Sequence, residues 1–296
     1  MSTTEHNFEP MTTGMVLDRS FRLYLDNFAL MVGLSAILNV PLLFISFMLS
    51  ASRIDVTKLN GATVVAILIG VILFLLTLII VAPMIGGATA LAVSDIYLGK
   101  SATAGAVLSA AWRKVWTLLK TQIIVGLILF GLMLAAGMVL GAVAGIMTLI
   151  SVPAVLVLFV FGMGMLVCLV GIVILFLSYA LIAPIVMIEG SDRGREIRNR
   201  SWRLVEGNRL KVFLIFLILV VIQVLVQGGV AVVSAITFGL GNASITASVL
   251  DGIISILLTP LSAIAITLLY YDFRIRKEGF DLEMLSQSIG GTTTEA

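Results

Sequence analysis

The chain is 296 residues long, 60% hydrophobic and 11% charged, with 18 Lys or Arg against 16 Asp or Glu. Soluble domains carry roughly 25% charged residues, so this composition excludes a water-soluble globule of that size and points to lipid as the solvent. One His (His6) and one Cys (Cys168) exclude an intrachain disulfide and fall below the three or four ligands of a Cys/His metal site. No metal, cofactor or nucleic-acid partner is expected.

The first ten residues, MSTTEHNFEP, lack a basic start and an apolar stretch, so no cleavable signal peptide is expected. Residues 1–12 read as a flexible tail. Residues 13–100 form a first unit that opens on an amphipathic segment. In it Leu17, Phe21, Tyr24, Leu25 and Phe28 recur at helical spacing, with Asp18, Arg19, Arg22 and Asp26 opposite. Two charge-free intervals follow, 27–52 and 59–94, each long enough for one span.

Residues 101–190 form a second unit, opening with Trp112-Arg113-Lys114 and continuing into 68 residues without a charge between Lys120 and Glu189. At about 1.5 Å per residue across a core of ~30 Å, that run holds two long helices or three short ones. Its expected reversal is the turn at 149–155, which contains Pro153. Residues 191–279 form a third unit. There Ile197, Trp202 and Val205 alternate with Arg195, Arg198, Arg200 and Arg203, and apolar sequence then runs to Tyr271 with a reversal expected at Gly239-Leu240-Gly241-Asn242. Residues 280–296 read as a flexible tail.

Charge placement decides the number of spans. With two helices in the long run, the chain has six spans and 16 of the 18 basic residues share one side with both termini, leaving Arg53 and Lys58 opposite. Three helices in the run would make the division 6 to 12. The positive-inside rule favours six spans with both termini cytoplasmic.

The three units share an order of features, which predicts an internal repeat of about 90 residues. Each has a Gly (Gly14, Gly105, Gly194), then an aromatic–Arg pair (Phe21-Arg22, Trp112-Arg113, Trp202-Arg203), then two spans of which the second carries a proline (Pro83, Pro184, Pro260). The expected fold is all-α and polytopic. It comprises six transmembrane helices in three two-span repeats, each preceded by an interfacial amphipathic helix.

Two groups of residues are candidates for function. Arg19, Arg22, Trp112, Arg113, Lys114, Arg200, Trp202 and Arg203 suit the headgroup boundary, where Trp is favoured and each cation meets anionic lipid at about 1 kcal/mol. They serve either lipid or partner contact, or plain anchoring. Asp251 stands inside apolar sequence, and the prolines Pro83, Pro184 and Pro260 are expected to kink the second spans and frame a cavity. Asp251 reads either as a transport residue or as an interfacial one that begins its helix. Intramembrane Asn39, Gln122, Gln223 and Gln227 suit interhelical hydrogen bonds, and the glycines from Gly126 to Gly145 suit close helix packing. Asp95, Glu189, Asp192 and Asp272 close second spans and would hold a divalent cation only if the fold gathered them. Asn242-Ala-Ser244 matches a glycosylation triplet.

Three stretches carry a family resemblance: LDRSFRLYLDNF from Leu17, RSWRLVEGN from Arg200, and Thr259-Pro260 followed by LYYDFRIRKEGFDLE from Leu269. They resemble the prokaryotic integral membrane proteins grouped with the glycerophosphoryl diester phosphodiesterase membrane domain. In some members this region precedes a soluble phosphodiesterase barrel. Here the sequence stops soon after Glu283, and a single His does not supply the acid–base pair of that barrel. The resemblance thus implies a bacterial or archaeal inner-membrane protein without that activity. The expected function is non-enzymatic: a scaffold, lipid-contacting or accessory subunit, with membrane lipids and membrane proteins as partners. The alternative is a small transporter or channel.

Overall fold

A computed structural model describes residues 10–51 and 61–279; the side chains of 238–245 lie outside the described residues, as do His6, Arg53, Lys58 and both outer tails. The Asn242 triplet and the side chains of the Gly239 to Asn242 reversal fall among them. In lipid every backbone polar group must be satisfied within the chain. All regular structure among the described residues is accordingly helical.

Helix α1 (Thr13–Asp26) starts at Thr12, whose hydroxyl accepts from the Met15 amide at 3.3 Å. It stops at Asn27, which leaves helical geometry at φ −123° and donates its side-chain amide to Leu23 O at 3.1 Å. Helix α2 (Phe28–Ala51), α3 (Gly61–Leu76) and α4 (Ala82–Tyr97) follow, the last two joined by a π turn at Thr77–Val81. Helices α5 (Ala104–Leu149) and α6 (Ala154–Ser178) form a hairpin whose turn includes Ser151 at φ 57°. A single helical turn, α7 (Ile182–Pro184), runs into a second π turn at Ile185–Glu189. Then come α8 (Gly194–Val205) and α9 (Arg209–Glu278).

Six segments among the described residues are long and apolar enough to cross a membrane: Phe28–Phe47, Ile67–Tyr97, Ala104–Leu149, Ala154–Glu189, Arg209–Thr237 and Thr246–Glu278. The chain is a multi-span helical membrane protein. Helix α9 supplies two of these segments because it folds back on itself. Lys211 and Asp272 would lie about 90 Å apart on a straight helix, yet Lys211 Nζ is 2.6 Å from Asp272 Oδ2. Ala231 and Ala247 line one cleft, so the reversal falls between them.

The second unit departs from expectation. No separate interfacial helix precedes its first span, because α5 runs unbroken from Ala104 to Leu149. The cause is local. Five residues after Arg22 comes Asn27, and five after Arg203 comes Asn208, preceded by Gly207 at φ 81°. The corresponding residue after Arg113 is Leu118, a good helix former whose side chain is fully buried.

The expected apolar face of α1 is also turned. Phe21, Leu25 and Phe28 are exposed, and the buried stripe is Val16, Ser20 and Tyr24. These lie five before, one before and three after the aromatic of the aromatic–Arg pair. The same offsets pick out Val107, Ala111 and Val115 in α5, and Ile197, Ser201 and Val205 in α8, all buried. The middle residue is small in each case, which lets the helix approach its neighbour closely. The Ser201 hydroxyl donates to Ser178 O at 2.8 Å across that contact.

Around the prolines the spans differ. Pro83 follows the first π turn, where Ala82 N–H bonds back to Thr77 O. Pro184 stands between the end of α6 and the second π turn. Pro260 interrupts nothing, since α9 stays α-helical through it. All three are buried.

Burial is concentrated at one end of the bundle. In α5 the last buried residue is Val125, and in α6 the first is Leu177. Beyond those points both helices present apolar surface all round, for instance Met138, Leu149, Val155 and Leu158. A helix apolar on every side and not covered by protein is one that lipid covers. The glycines expected to serve packing, Gly126 through Gly145, have open space around them; close packing occurs at Gly87 against Met187, Gly164 against Leu140 and Gly252 against Leu43.

Candidate functional site

The packed end of the bundle is also where the basic segments meet. At its centre Asp272 is fully buried and accepts from three groups: the Met11 amide at 2.6 Å, Lys211 Nζ at 2.6 Å and Arg276 Nε at 3.1 Å. Lys211 and Arg276 also donate to Met11 O, at 2.5 and 2.6 Å. A buried carboxylate is tolerated when it is paired and its remaining lone pairs are filled, and both conditions hold here. Met11, which the sequence assigns to a flexible tail, is therefore pinned by both of its peptide groups.

A second knot joins α8 to the end of α9. Glu189 accepts from Tyr270 Oη at 2.8 Å and pairs with Arg200 Nε. Arg200 also reaches Glu278 at 2.9 Å, and Glu278 takes Arg274 Nε at 3.2 Å. Burial works against the Arg200 charge, but its bonds to Glu189 and Glu278 outweigh that and hold its pKa above the usual value. Lys277 Nζ closes the C-terminus of α8, donating to Arg203 O at 2.5 Å and Glu206 O at 2.6 Å.

The eight residues expected at the headgroup boundary therefore divide. Arg19 points inward, with its guanidinium 3.4 Å from Tyr97 Oη. Lys114 donates to Met187 O at 2.9 Å, Arg200 is in the knot just described, and Trp202 is half-buried beneath Arg209. Arg22, Trp112, Arg113 and Arg203 are exposed, joined by Trp116 at 68% exposure. Arg22 pairs with its helix neighbour Asp18 at 3.0 Å, both well exposed.

Two spaces lie deeper. A cavity of about 320 Å³ sits where α4, α5, α6 and α9 meet, lined by Gly86, Ala90, Tyr179, Pro184, Ala263 and Thr267 among others. Asp251 is exposed and lines a different cleft, with Gln227 and Ser248, between the two limbs of α9. Pro184 and Asp251 thus lie in separate spaces. Asn39 bonds within its own helix, to Ser35 O and Oγ at 3.0 Å, rather than across helices.

The carboxylates considered for a cation are occupied otherwise. Asp272 and Glu189 face cations, and Asp192 Oδ1 accepts from Thr117 at 3.3 Å. Among the described residues no three His, Cys, Asp or Glu side chains cluster as metal ligands would.

Sequence reasoning did not find the Lys211–Asp272 pair, the pinning of Met11, or Arg209 over Trp202. The signal available for the first was weak: one acidic residue amid apolar ones in the final span, and one Lys at the start of the preceding span.

Residues 28–273 match a family described as a domain of unknown function, DUF7847. No curated protein and no solved structure matches the chain.

Proposed function

The chain belongs to the DUF7847 family, and we propose that it is a non-enzymatic component of a prokaryotic cytoplasmic membrane, a scaffold or accessory subunit that contacts anionic lipid. The observation that carries this reading is the division of its charges. Buried carboxylates are consumed in structural knots, while Arg22, Arg113 and Arg203 remain exposed beside Trp112 and Trp116. Such a rim of cations and Trp at a membrane boundary binds anionic headgroups at about 1 kcal/mol per cation. Both termini lie on the cytoplasmic side in this reading, following the placement of Lys and Arg. We further read residues 13–100, 101–190 and 191–279 as three two-span repeats. The shared offsets of the buried stripes in α1, α5 and α8 support that reading.

The test is reconstitution into phosphatidylcholine vesicles with increasing phosphatidylglycerol, comparing wild type with an Arg22→Gln, Arg113→Gln, Arg203→Gln triple variant. Wild type should gain thermal stability and retain phosphatidylglycerol through detergent extraction, and the triple variant should lose most of both effects. Identical responses would sink the rim reading.

The transport alternative draws on the cavity where four helices meet. Ion or solute flux through wild-type proteoliposomes that Asp251→Ala abolishes would replace the scaffold reading with it.

A further inference from the structure

We propose that the seam between the end of α6 and the start of α9 is a discrete phospholipid site, with the lipid phosphodiester at Arg209 and one acyl chain in the cavity behind Phe176 and Phe216. The proposal rests on the lipid-contacting reading above and gives it a specific address.

Three observations converge on this seam. The first is a cation with unmet bonding. The Arg209 guanidinium lies 4.6 Å over the Trp202 ring, and its Nε is buried with no hydrogen-bond acceptor among the described residues. A buried donor left unpaired costs about 1–3 kcal/mol, which a phosphate oxygen would recover. Arg209 is also the first residue of α9, and no side chain caps that helix start. The helix dipole therefore adds to the attraction for an anion there.

The second observation is the level at which Arg209 stands. The residues that follow it, Leu210, Phe213 and Leu217, are exposed at helical spacing, so this side of α9 faces hydrocarbon. Arg209 tops that apolar stripe, with Trp202 beside it, which is the order of a headgroup boundary.

The third is the cavity itself. Its lining includes Phe216, from the inner side of the same helix, and Phe176, which is 53% exposed. The two rings sit 6.0 Å apart, edge to face, so the cavity meets the lipid-facing surface at this pair. At about 320 Å³ it lies at the small end of ligand pockets, which run from ~300 to ~1,000 Å³, and its lining is mostly apolar. That shape admits one slender apolar chain. Tyr179 lines the cavity and lies 6.2 Å from Trp202, which links the chain slot to the headgroup position. A membrane lipid is the one molecule that presents an anion and an apolar chain to both parts from this direction.

The experiment uses Trp202 as the reporter. Trp112 and Trp116, the other two tryptophans, are exposed and are replaced by Phe. The protein is reconstituted in phosphatidylcholine vesicles containing phosphatidylglycerol or phosphatidylcholine brominated on its chains. We expect phosphatidylglycerol to quench Trp202 at about a fivefold lower mole fraction, the factor that ~1 kcal/mol for one cation amounts to. Arg209→Gln should remove that preference, and Ala183→Leu, which narrows the slot, should weaken it. Should Ala183→Leu fail to fold, phosphatidylglycerols of different chain length read the slot without a substitution. Equal quenching by both lipids in the parent protein would overturn the site. So would a preference that survives Arg209→Gln. Relief of the preference by inorganic phosphate, together with indifference to chain length, would show a headgroup-only contact and overturn the chain slot. The Arg22, Arg113, Arg203 triple variant should quench like the parent, so the rim and the seam can fail independently.

Discussion

Lys211 and Asp272 stand 61 positions apart in the chain and 2.6 Å apart in space. That single contact closes α9 into a hairpin and ties its two ends to Met11. Removing one partner of a buried pair leaves an uncompensated charge and typically costs 3–5 kcal/mol. Lys211→Met should therefore lower thermal stability by about that amount. Asp272→Ala should lower it too and, in addition, expose the segment around Met11 to protease. A Lys211→Met protein as stable as wild type would show that the pair contributes little beyond its replacement.

The stripes in α1, α5 and α8 make a matched set of predictions. Ser20→Leu, Ala111→Leu and Ser201→Leu each insert bulk at a fully buried small residue and should each cost about 1–3 kcal/mol. Phe21→Leu and Trp112→Leu, one position along and exposed, should stay within ~0.5 kcal/mol. Sensitivity at only one of the three small positions in a denaturation series would remove the basis for a common register.

Asn27 separates α1 from α2, and its counterpart in α5 is Leu118. Asn27→Leu removes the break and sets helix continuity against the anchoring of Met11. Spin labels at Asp18 and Val40, both exposed, should move toward the ~33 Å that 22 residues of straight helix require. An unchanged distance at unchanged stability would mean that packing alone sets the bend.

Arg200 bridges Glu189 and Glu278 with a planar, forked head. A Lys offers one compact charge and cannot address both carboxylates, so Arg200→Lys is not conservative here. We expect a loss of about 1–2 kcal/mol, comparable with removing one or two hydrogen bonds to charged groups. Glu278→Gln, which leaves the Glu189 contact in place, should cost less. The comparison is a pair of thermal melts in the same detergent.

The gaps between charges were enough to read the solvent, the helical class and six membrane-length segments. The Gly and Asn that follow the aromatic–Arg pairs marked the ends of α1 and α8. What the sequence hid depended on partners distant along the chain. Hydrophobicity made Phe21 look like the inward residue of α1, but in a protein dissolved in lipid the outside is apolar as well. The small Ser20 was the better indicator of contact, as Ala111 and Ser201 were in the other two units. The role of Asp272 could not be read from its neighbours, because its partners come from the start of the chain and from the previous limb of α9. The cavity was similarly hidden, since α4, α5, α6 and α9 each contribute only a few of its residues.

The one-sided burial described above means that the two halves of the molecule answer to different surroundings. The end holding Asp272 and Glu189 carries its own side-chain contacts into any solvent. The far halves of α5 and α6 are held mainly by whatever encloses them, so exchanging a bilayer for a micelle alters their confinement while leaving the knotted end intact. Amide exchange in nanodiscs and in detergent should agree from Val107 to Val125 and diverge from Met138 to Leu158. A preparation in which all of α5 exchanges alike has lost the base as well as the lipid.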